Sequence, residues 1–326
     1  MQRRDFITLL GGAVATWPLT ARAQQPAMPV IGFMSARSLK DTVQVVGAFH
    51  KGLGEGGFVS GHNVNVEYRW ADGQYERLPA MAAELVRRPV DVIVAQAPPA
   101  ALAAKAATTS IPIVFVVGVD PVAAGLVGSF NKPGGNATGM TLITGPLAQK
   151  RLELLREIAP KAVNLAMLAN PISPDAAPEI RDVQASVQAT GFQLKMLNAT
   201  TPSELNAAFA SLSGQQPDAL LVGSDPFFIV RREEIIALAA RLGVPAIYPF
   251  RDFADSGGLI SYGTNIPNAY RQAGIYVGRI LKGAKPAELP VVQPTQFELV
   301  INLKTAKVLG INIPPMLHAR SDEVIE

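Results

Sequence analysis

Apolar and polar positions along this chain follow two periods that take turns. Residues 29–34 form an apolar run of strand length, and residues 41–55 carry a helical pattern closed by Gly56-Gly57. Residues 64–69 alternate at every second position, as a half-buried strand does. Leu78, Met81, Ala82, Leu85 and Val86 then stand at i, i+3, i+4, i+7 and i+8, one apolar face of a helix. Residues 91–95 predict a strand, 100–108 an alanine-rich helix and 113–117 another strand. Strands alternating with helices at this spacing predict a parallel sheet covered on both faces.

The cycle then repeats. Residues 163–169 match the first strand and 175–190 the first helix, whose Gly191-Phe192 end echoes Gly57-Phe58. Residues 203–212 stand in for the second helix. Asp218-Ala-Leu-Leu-Val echoes Asp91-Val-Ile-Val-Ala, and Val244-Pro-Ala-Ile echoes Ile111-Pro-Ile-Val. Markers recurring in one order predict two similar lobes. After Tyr262 the pattern changes: Tyr270, Ala273, Val277, Ile280 and Leu281 make a helical stripe that ends at Gly283. A proline-rich connector over 286–294, a strand over 297–301 and a helix through Leu309 follow. The extra elements suit a chain that crosses between lobes more than once. The expected fold class is α/β, two doubly wound parallel-sheet lobes joined by a hinge of several strands. We expect 24–143 plus 264–290 in the first lobe and 144–263 plus 291–326 in the second.

The first 23 residues stand apart. Arg3-Arg4 precede an apolar run over 6–19, and Ala21-Arg22-Ala23 closes it, the parts of a bacterial twin-arginine export signal. The run is too short to span a bilayer, and Trp17-Pro18 breaks it. We expect cleavage near Ala23 and a periplasmic protein that is not membrane-embedded. Losing Arg3, Arg4 and Arg22 with Asp5 lowers the formal charge from +3 to about +1, no electrostatic footprint for nucleic acid. There is no cysteine, so disulfides and thiol chemistry are excluded.

Small molecules bind open parallel sheets beyond the carboxyl ends of the strands. The loops expected there carry Ser35 and Arg37, then Gln96, Ala97 and Pro98, then Asp120 in the first lobe. In the second they carry Asn170 and Pro171, then Asp225, Phe227 and Phe228. Asp225, before Pro226 at a helix start, reads as an N-cap or as the partner of a ligand ammonium. Asp120-Pro121 shares that ambiguity and favours a cap or turn. Phe227 and Phe228 read as lobe core or as a stacking wall. Ser35 and Asn170 suit local backbone bonds, and Tyr262 is placed at the hinge or the cleft.

Ile111-Pro-Ile-Val-Phe115, Asp120-Pro-Val-Ala-Ala-Gly-Leu-Val127 and Lys132-Pro-Gly-Gly-Asn-Ala-Thr-Gly139 together resemble one family's signature. It is the ABC-transporter substrate-binding proteins, in the branch whose better-known members carry tryptophan or tyrosine. The likeness continues through Lys150-Arg-Leu-Glu-Leu-Leu-Arg156, Gly257-Gly-Leu-Ile-Ser-Tyr-Gly263 and Gly278-Arg-Ile-Leu-Lys-Gly-Ala-Lys-Pro286. It ends with Phe297-Glu-Leu-Val-Ile-Asn-Leu303 and Asp322-Glu-Val-Ile-Glu326. The resemblance implies a type I periplasmic-binding fold, a permease and its ATPase as partners, and an amino acid or similar amphiphile as ligand. The chain departs from the family's small residues after the third strand, where it has Ala97-Pro98-Pro99-Ala100. Two prolines remove two N–H donors that could hold a carboxylate, which keeps an aromatic acid open as ligand.

Motifs for chemistry are missing. No phosphate-cradling loop and no Gly-x-Ser-x-Gly elbow occur, and Lys132–Gly139 glycines read as a turn between the lobes. His50, His62 and His318 lie in unrelated elements, so no metal or cofactor is expected. A solute receptor is the leading reading, and an exported α/β enzyme with an unrecognised site is the alternative.

Overall fold

A computed structural model describes residues 28–142 and 144–326; the export signal expected over 1–23 lies outside them. The first lobe begins with β1 (Val30–Ser35), α1 (Val43–Glu55), β2 (Asn65–Trp70) and α2 (Leu78–Arg87). It continues through β3 (Val92–Gln96), α3 (Pro98–Ala107), β4 (Ile113–Val117) and β5 (Ala137–Thr141). The strands form one parallel sheet in the order β2-β1-β3-β4-β5.

The second lobe repeats that winding. Its elements are α4 (Leu147–Ile158), β6 (Asn164–Ala169), α5 (Ala176–Thr190), β7 (Gln193–Asn198), α6 (Pro202–Ala210) and β8 (Ala219–Val222). Then come α7 (Pro226–Val230), α8 (Arg232–Leu242), β9 (Ala246–Tyr248), α9 (Arg251–Asp255) and β10 (Ile260–Thr264). The chain returns to the first lobe as α10 (Ile266–Leu281), then ends in the second as β11 (Phe297–Asn302), α11 (Leu303–Val308), α12 (Pro315–Arg320) and β12 (Glu323–Ile325). Its sheet runs β7-β6-β8-β9-β10, the first lobe's order again, and β11 and β12 extend it, β11 antiparallel to β10. The two-lobe α/β expectation therefore holds.

Strand periodicity explains the layers. Ile31, Phe33, Val92, Val94, Val114 and Val116 turn one way, onto Phe49 and Leu53 of α1 and Tyr270, Ala273 and Val277 of α10. Met34, Ile93, Ala95, Ile113, Phe115 and Val117 turn the other way, onto α2 and α3. Fully burying a side chain of this size contributes roughly 1.5–3 kcal/mol, so neither face is stable uncovered. Contact between α1 and α10 is backbone-close: a Cβ on Gly52 would stand 1.8 Å from the Arg271 carbonyl oxygen, and one on Gly274 would stand 2.2 Å from that of Phe49.

The lobes are joined between β5 and α4, between β10 and α10, and between Val292 and β11. Val291 and Val292 still pair with the first lobe, donating to the Phe130 and Gly139 carbonyls. One reading is corrected here. The glycine-bearing stretch taken as a turn between lobes runs into β5, which pairs with β4 from Ala137 to Thr141. Gly139 is required there, because a Cβ would stand 2.0 Å from the Phe115 carbonyl oxygen.

Candidate functional site

Strand ends of the two sheets face each other across a cleft that closes around a narrow cavity of about 30 Å³. From the first lobe it is lined by Arg37 after β1, Gln96, Ala97 and Pro98 after β3, and Val116 and Gly118 at the end of β4. The second lobe supplies Asp175 before α5, Ser224 and Asp225 after β8, and Phe250 after β9. Leu142, Thr144 and Ile266, at the crossings, and Tyr270 and Ile229 complete the wall. The lobes are in contact around it: the Tyr75 hydroxyl donates to Asp225 Oδ2 at 2.7 Å, and Arg37 lies 5.7 Å over the Phe250 ring.

Of the residues singled out in the sequence, Arg37, Gln96, Ala97, Pro98 and Asp225 line this cavity. Ser35 sits behind it, donating to Gln96 Oε1 at 2.5 Å and accepting from the Arg37 N–H at 2.9 Å. Asn170 also stands behind, donating from Nδ2 to Asp225 Oδ1 at 3.2 Å. Five others lie away from the cavity wall. Asp120 is exposed and accepts from the N–H groups of Val122 and Ala123 at 2.8 and 3.1 Å, a turn cap. Pro171 is exposed, and Phe228 is fully buried in core. Tyr262 stacks on Phe297 of β11, with ring centroids 6.4 Å apart. Phe227 packs against Gly73 of the first lobe, so it seals the lobes together rather than lining the cavity.

Asp225 is the N-cap expected of it, and it also borders the cavity. Its Oδ1 accepts from the Phe227 N–H at 2.9 Å and caps α7, while the carboxylate borders the cavity. Burial pushes its carboxyl up from the usual range, and hydrogen bonds from Tyr75, Asn170 and Phe227 oppose the shift. The Tyr75 hydroxyl is raised too, by burial first and by Asp225 second.

Sequence reasoning missed the two groups that matter most beside it. Asp175, read only as the start of a helix, caps nothing, and its Oδ1 has no hydrogen-bond partner. It is 5% exposed, and burial, with Glu179 and Asp225 as like-charged neighbours, pushes its carboxyl well above the usual range. A Cβ on Gly118 of the opposite lobe would stand 2.6 Å from Asp175 Oδ1, so only glycine admits the carboxylate this close. Arg151 is the other omission. It is fully buried, donates to Glu179 Oε1 at 2.6 Å and to the Thr144 carbonyl at 3.0 Å, and Glu179 accepts from the Ser224 N–H at 2.8 Å. The pair braces two cavity-lining segments from behind.

Charge is therefore unevenly settled. Arg151 is neutralised by Glu179, but Arg37 Nε and Nη1 are buried without a partner on one side and Asp175 Oδ1 on the other. Leaving buried polar groups unmade costs about 1–3 kcal/mol each, more when charged. The start of α3 is poor in donors: Pro98 and Pro99 carry no N–H, and the N–H groups of Ala97 and Ala101 are taken by the Val116 and Ala97 carbonyls. Ala97 itself holds φ +73° and ψ +157°, a region that suits glycine. Ala97→Gly is expected to raise folding stability by about 1 kcal/mol, the strain relieved less the added entropy of the unfolded chain. A lower denaturation midpoint would contradict that account of the backbone.

Comparison with known proteins adds a family. The model of the ABC transporter substrate binding protein family matches residues 27–325. A tyrosine-binding protein of Clostridioides difficile is 28% identical over 278 residues, which are 84% of this chain and 80% of that protein. Among solved structures, a conserved domain protein from Vibrio cholerae superposes with a TM-score of 0.85 at 26% identity, over 91% of this chain and 99% of that one. The ABC domain of Streptococcus pneumoniae in complex with L-Trp gives 0.84 at 24% identity, with the same coverage. A ligand-free, open substrate binding protein from Clostridium difficile gives 0.66 at 26% identity, again over 91% and 99%.

Proposed function

The chain belongs to the ABC transporter substrate-binding protein family, and we propose on that premise that it is the periplasmic receptor of an importer for an apolar amino acid. The single observation that carries the cargo class is the pair of unmatched charges across the cleft. Arg37 offers a fork of donors to a carboxylate, and Asp175 with Asp225 offers acceptors to an ammonium. Between them Val116, Leu142, Ile229, Phe250 and Ile266 present an apolar wall to a side chain. An α-amino acid zwitterion settles both charges at once. An aromatic acid would settle Arg37 and leave Asp175 buried and unmatched, so the amino acid is preferred. The tyrosine-binding relative and the L-Trp complex support the same class.

Mechanism follows from the division of labour. A ligand held by one lobe alone gains half its contacts, whereas a shut cleft gains both, and that difference shifts the population toward closure. Micromolar affinity requires about −8 kcal/mol, within reach of two desolvated charge contacts and one buried side chain. Closure of both lobes is the form a permease with its ATPase would read. Among the described residues no helix is long and apolar enough to cross a membrane. The arginine pair and apolar run before residue 24 support export, and protein recovered from the periplasm should begin at Gln24.

Calorimetry tests the cargo class directly. L-tryptophan, L-tyrosine and L-leucine are compared with 3-phenylpropionate, which lacks the ammonium, and tryptamine, which lacks the carboxylate. At least one amino acid should bind at least thirtyfold more tightly than either truncated compound, a difference of about 2 kcal/mol. Equal affinity for 3-phenylpropionate would hand the site to aromatic acids, and conversion of any ligand would restore the enzyme alternative.

A further inference from the structure

Outside the cavity, the lobes meet at a second charged contact. Asp41, in the segment between β1 and α1 of the first lobe, accepts hydrogen bonds from Ser38 Oγ and from Arg232 Nη1 at the start of α8 in the second lobe. The Asp41 side chain is 0% exposed and that of Arg232 16%, so the pair is nearly dry. Neither residue lines the ligand cavity. Each is held within its own lobe before the two meet: Ser38 steadies Asp41, while Arg232 Nε donates to Ser256 Oγ at 2.8 Å and Nη1 to the Ile229 carbonyl at 3.0 Å.

We propose that Asp41 and Arg232 form a latch that sets how long the cleft stays shut, and hence the affinity, without touching the ligand. The inference rests on the reading that ligand is enclosed between the lobes. Preorganisation is what makes the contact effective: little side-chain freedom is lost when the lobes meet, because both ends are already positioned. Reopening the cleft must separate a desolvated ion pair. The connection to the cavity is short, since Arg232 grips the carbonyl of Ile229, whose side chain is part of the cavity wall. Other charges around this groove are Lys40, Arg251, Asp252 and Asp255, with Glu233 4.0 Å from Arg232. Arg251 is engaged by Asp255, Glu298 and Glu323, so it does not compete for Asp41.

The test uses the mature protein and L-tryptophan in stopped-flow fluorescence. Asp41→Asn and Arg232→Gln should each raise the dissociation rate about tenfold, equivalent to about 1.4 kcal/mol, with the association rate nearly unchanged. The double variant should be no worse than the weaker single variant, and the affinity ratio of L-tryptophan to L-leucine should stay constant. Unchanged dissociation, additive losses or an altered ratio would overturn the latch. A ligand-free measurement separates this idea from the cargo reading. Because the chain has no cysteine, Lys51→Cys and Lys161→Cys place one label on each lobe. Energy transfer should report a longer mean distance in Asp41→Asn than in its parent. Superimposable distributions would overturn the latch even if no amino acid binds, whereas failure of every amino acid with a shifted distribution would overturn only the cargo.

Discussion

Arg37→Gln is expected to weaken amino-acid binding by about 2–5 kcal/mol, roughly thirtyfold to several thousandfold, while leaving the ligand-free protein at least as stable. The reasoning is asymmetric. In the ligand-free cleft Arg37 Nε and Nη1 have no partner, so removing the charge relieves a buried cost. In the complex the same fork is the proposed carboxylate partner, and Pro98 and Pro99 leave the start of α3 two N–H donors short of replacing it. Arg37's backbone contacts, from its N–H to Ser35 Oγ and from its carbonyl to the Asp72 N–H, survive the change. Calorimetry with the tightest amino acid, beside a thermal melt, reads both halves. Affinity within threefold of the parent would remove Arg37 from the site.

Asp175→Asn should show the same opposition from the other lobe, with a pH signature that Arg37 lacks. Folding confines this carboxyl beside Glu179 and Asp225, away from water, so its folded-state titration lies above that of the unfolded chain. A carboxyl shifted this way destabilises the folded state at neutral pH, and the penalty fades as pH falls through the raised range. The ligand-free variant should therefore be more stable than its parent by about 1–3 kcal/mol near neutrality. That advantage should shrink on acidification and vanish below the ordinary aspartate range. Ligand affinity should fall by about 2–5 kcal/mol over the same neutral range. Denaturant titrations of the two proteins at several pH values read the group together with its coupling to Glu179 and Asp225, while distant carboxyls cancel in the difference. A constant stability gap, or a less stable variant, would show that Asp175 is already compensated.

Much of the architecture was legible because a strand covered on both faces must be apolar throughout. β1, β3, β4, β6 and β8 are therefore short apolar runs, each bounded by a turn or a helix. β5 escaped notice for the opposite reason: Ala-Thr-Gly-Met-Thr has neither a run nor an alternation, and its burial comes from neighbours on both sides. β7, with Gln193 and Lys195, and the single-turn α9 lack a period long enough to recognise. For the site, knowing that ligands gather at strand ends located loops that border the cavity. It could not distinguish Arg37 from Arg151, since only the folded chain reveals that Glu179 pairs with one, while the other lies over the Phe250 ring with Nε and Nη1 lacking hydrogen-bond partners. Phe228 stayed open between core and stacking wall and Tyr262 between hinge and cleft, because side-chain direction is set by packing that no single loop encodes.

The glycine-tight seam between α1 and α10 has a consequence for how this protein comes into being. Until residue 281 has left the ribosome, the first sheet has no α10 to cover Ile31, Phe33 and Val114, although all its own strands were made by residue 141. The opening half of the message thus yields an unfinished body that must wait for its sibling to be written. The two bodies mature together rather than in sequence, and a nascent chain stalled between residues 141 and 266 offers chaperones a sheet face that α1 alone covers.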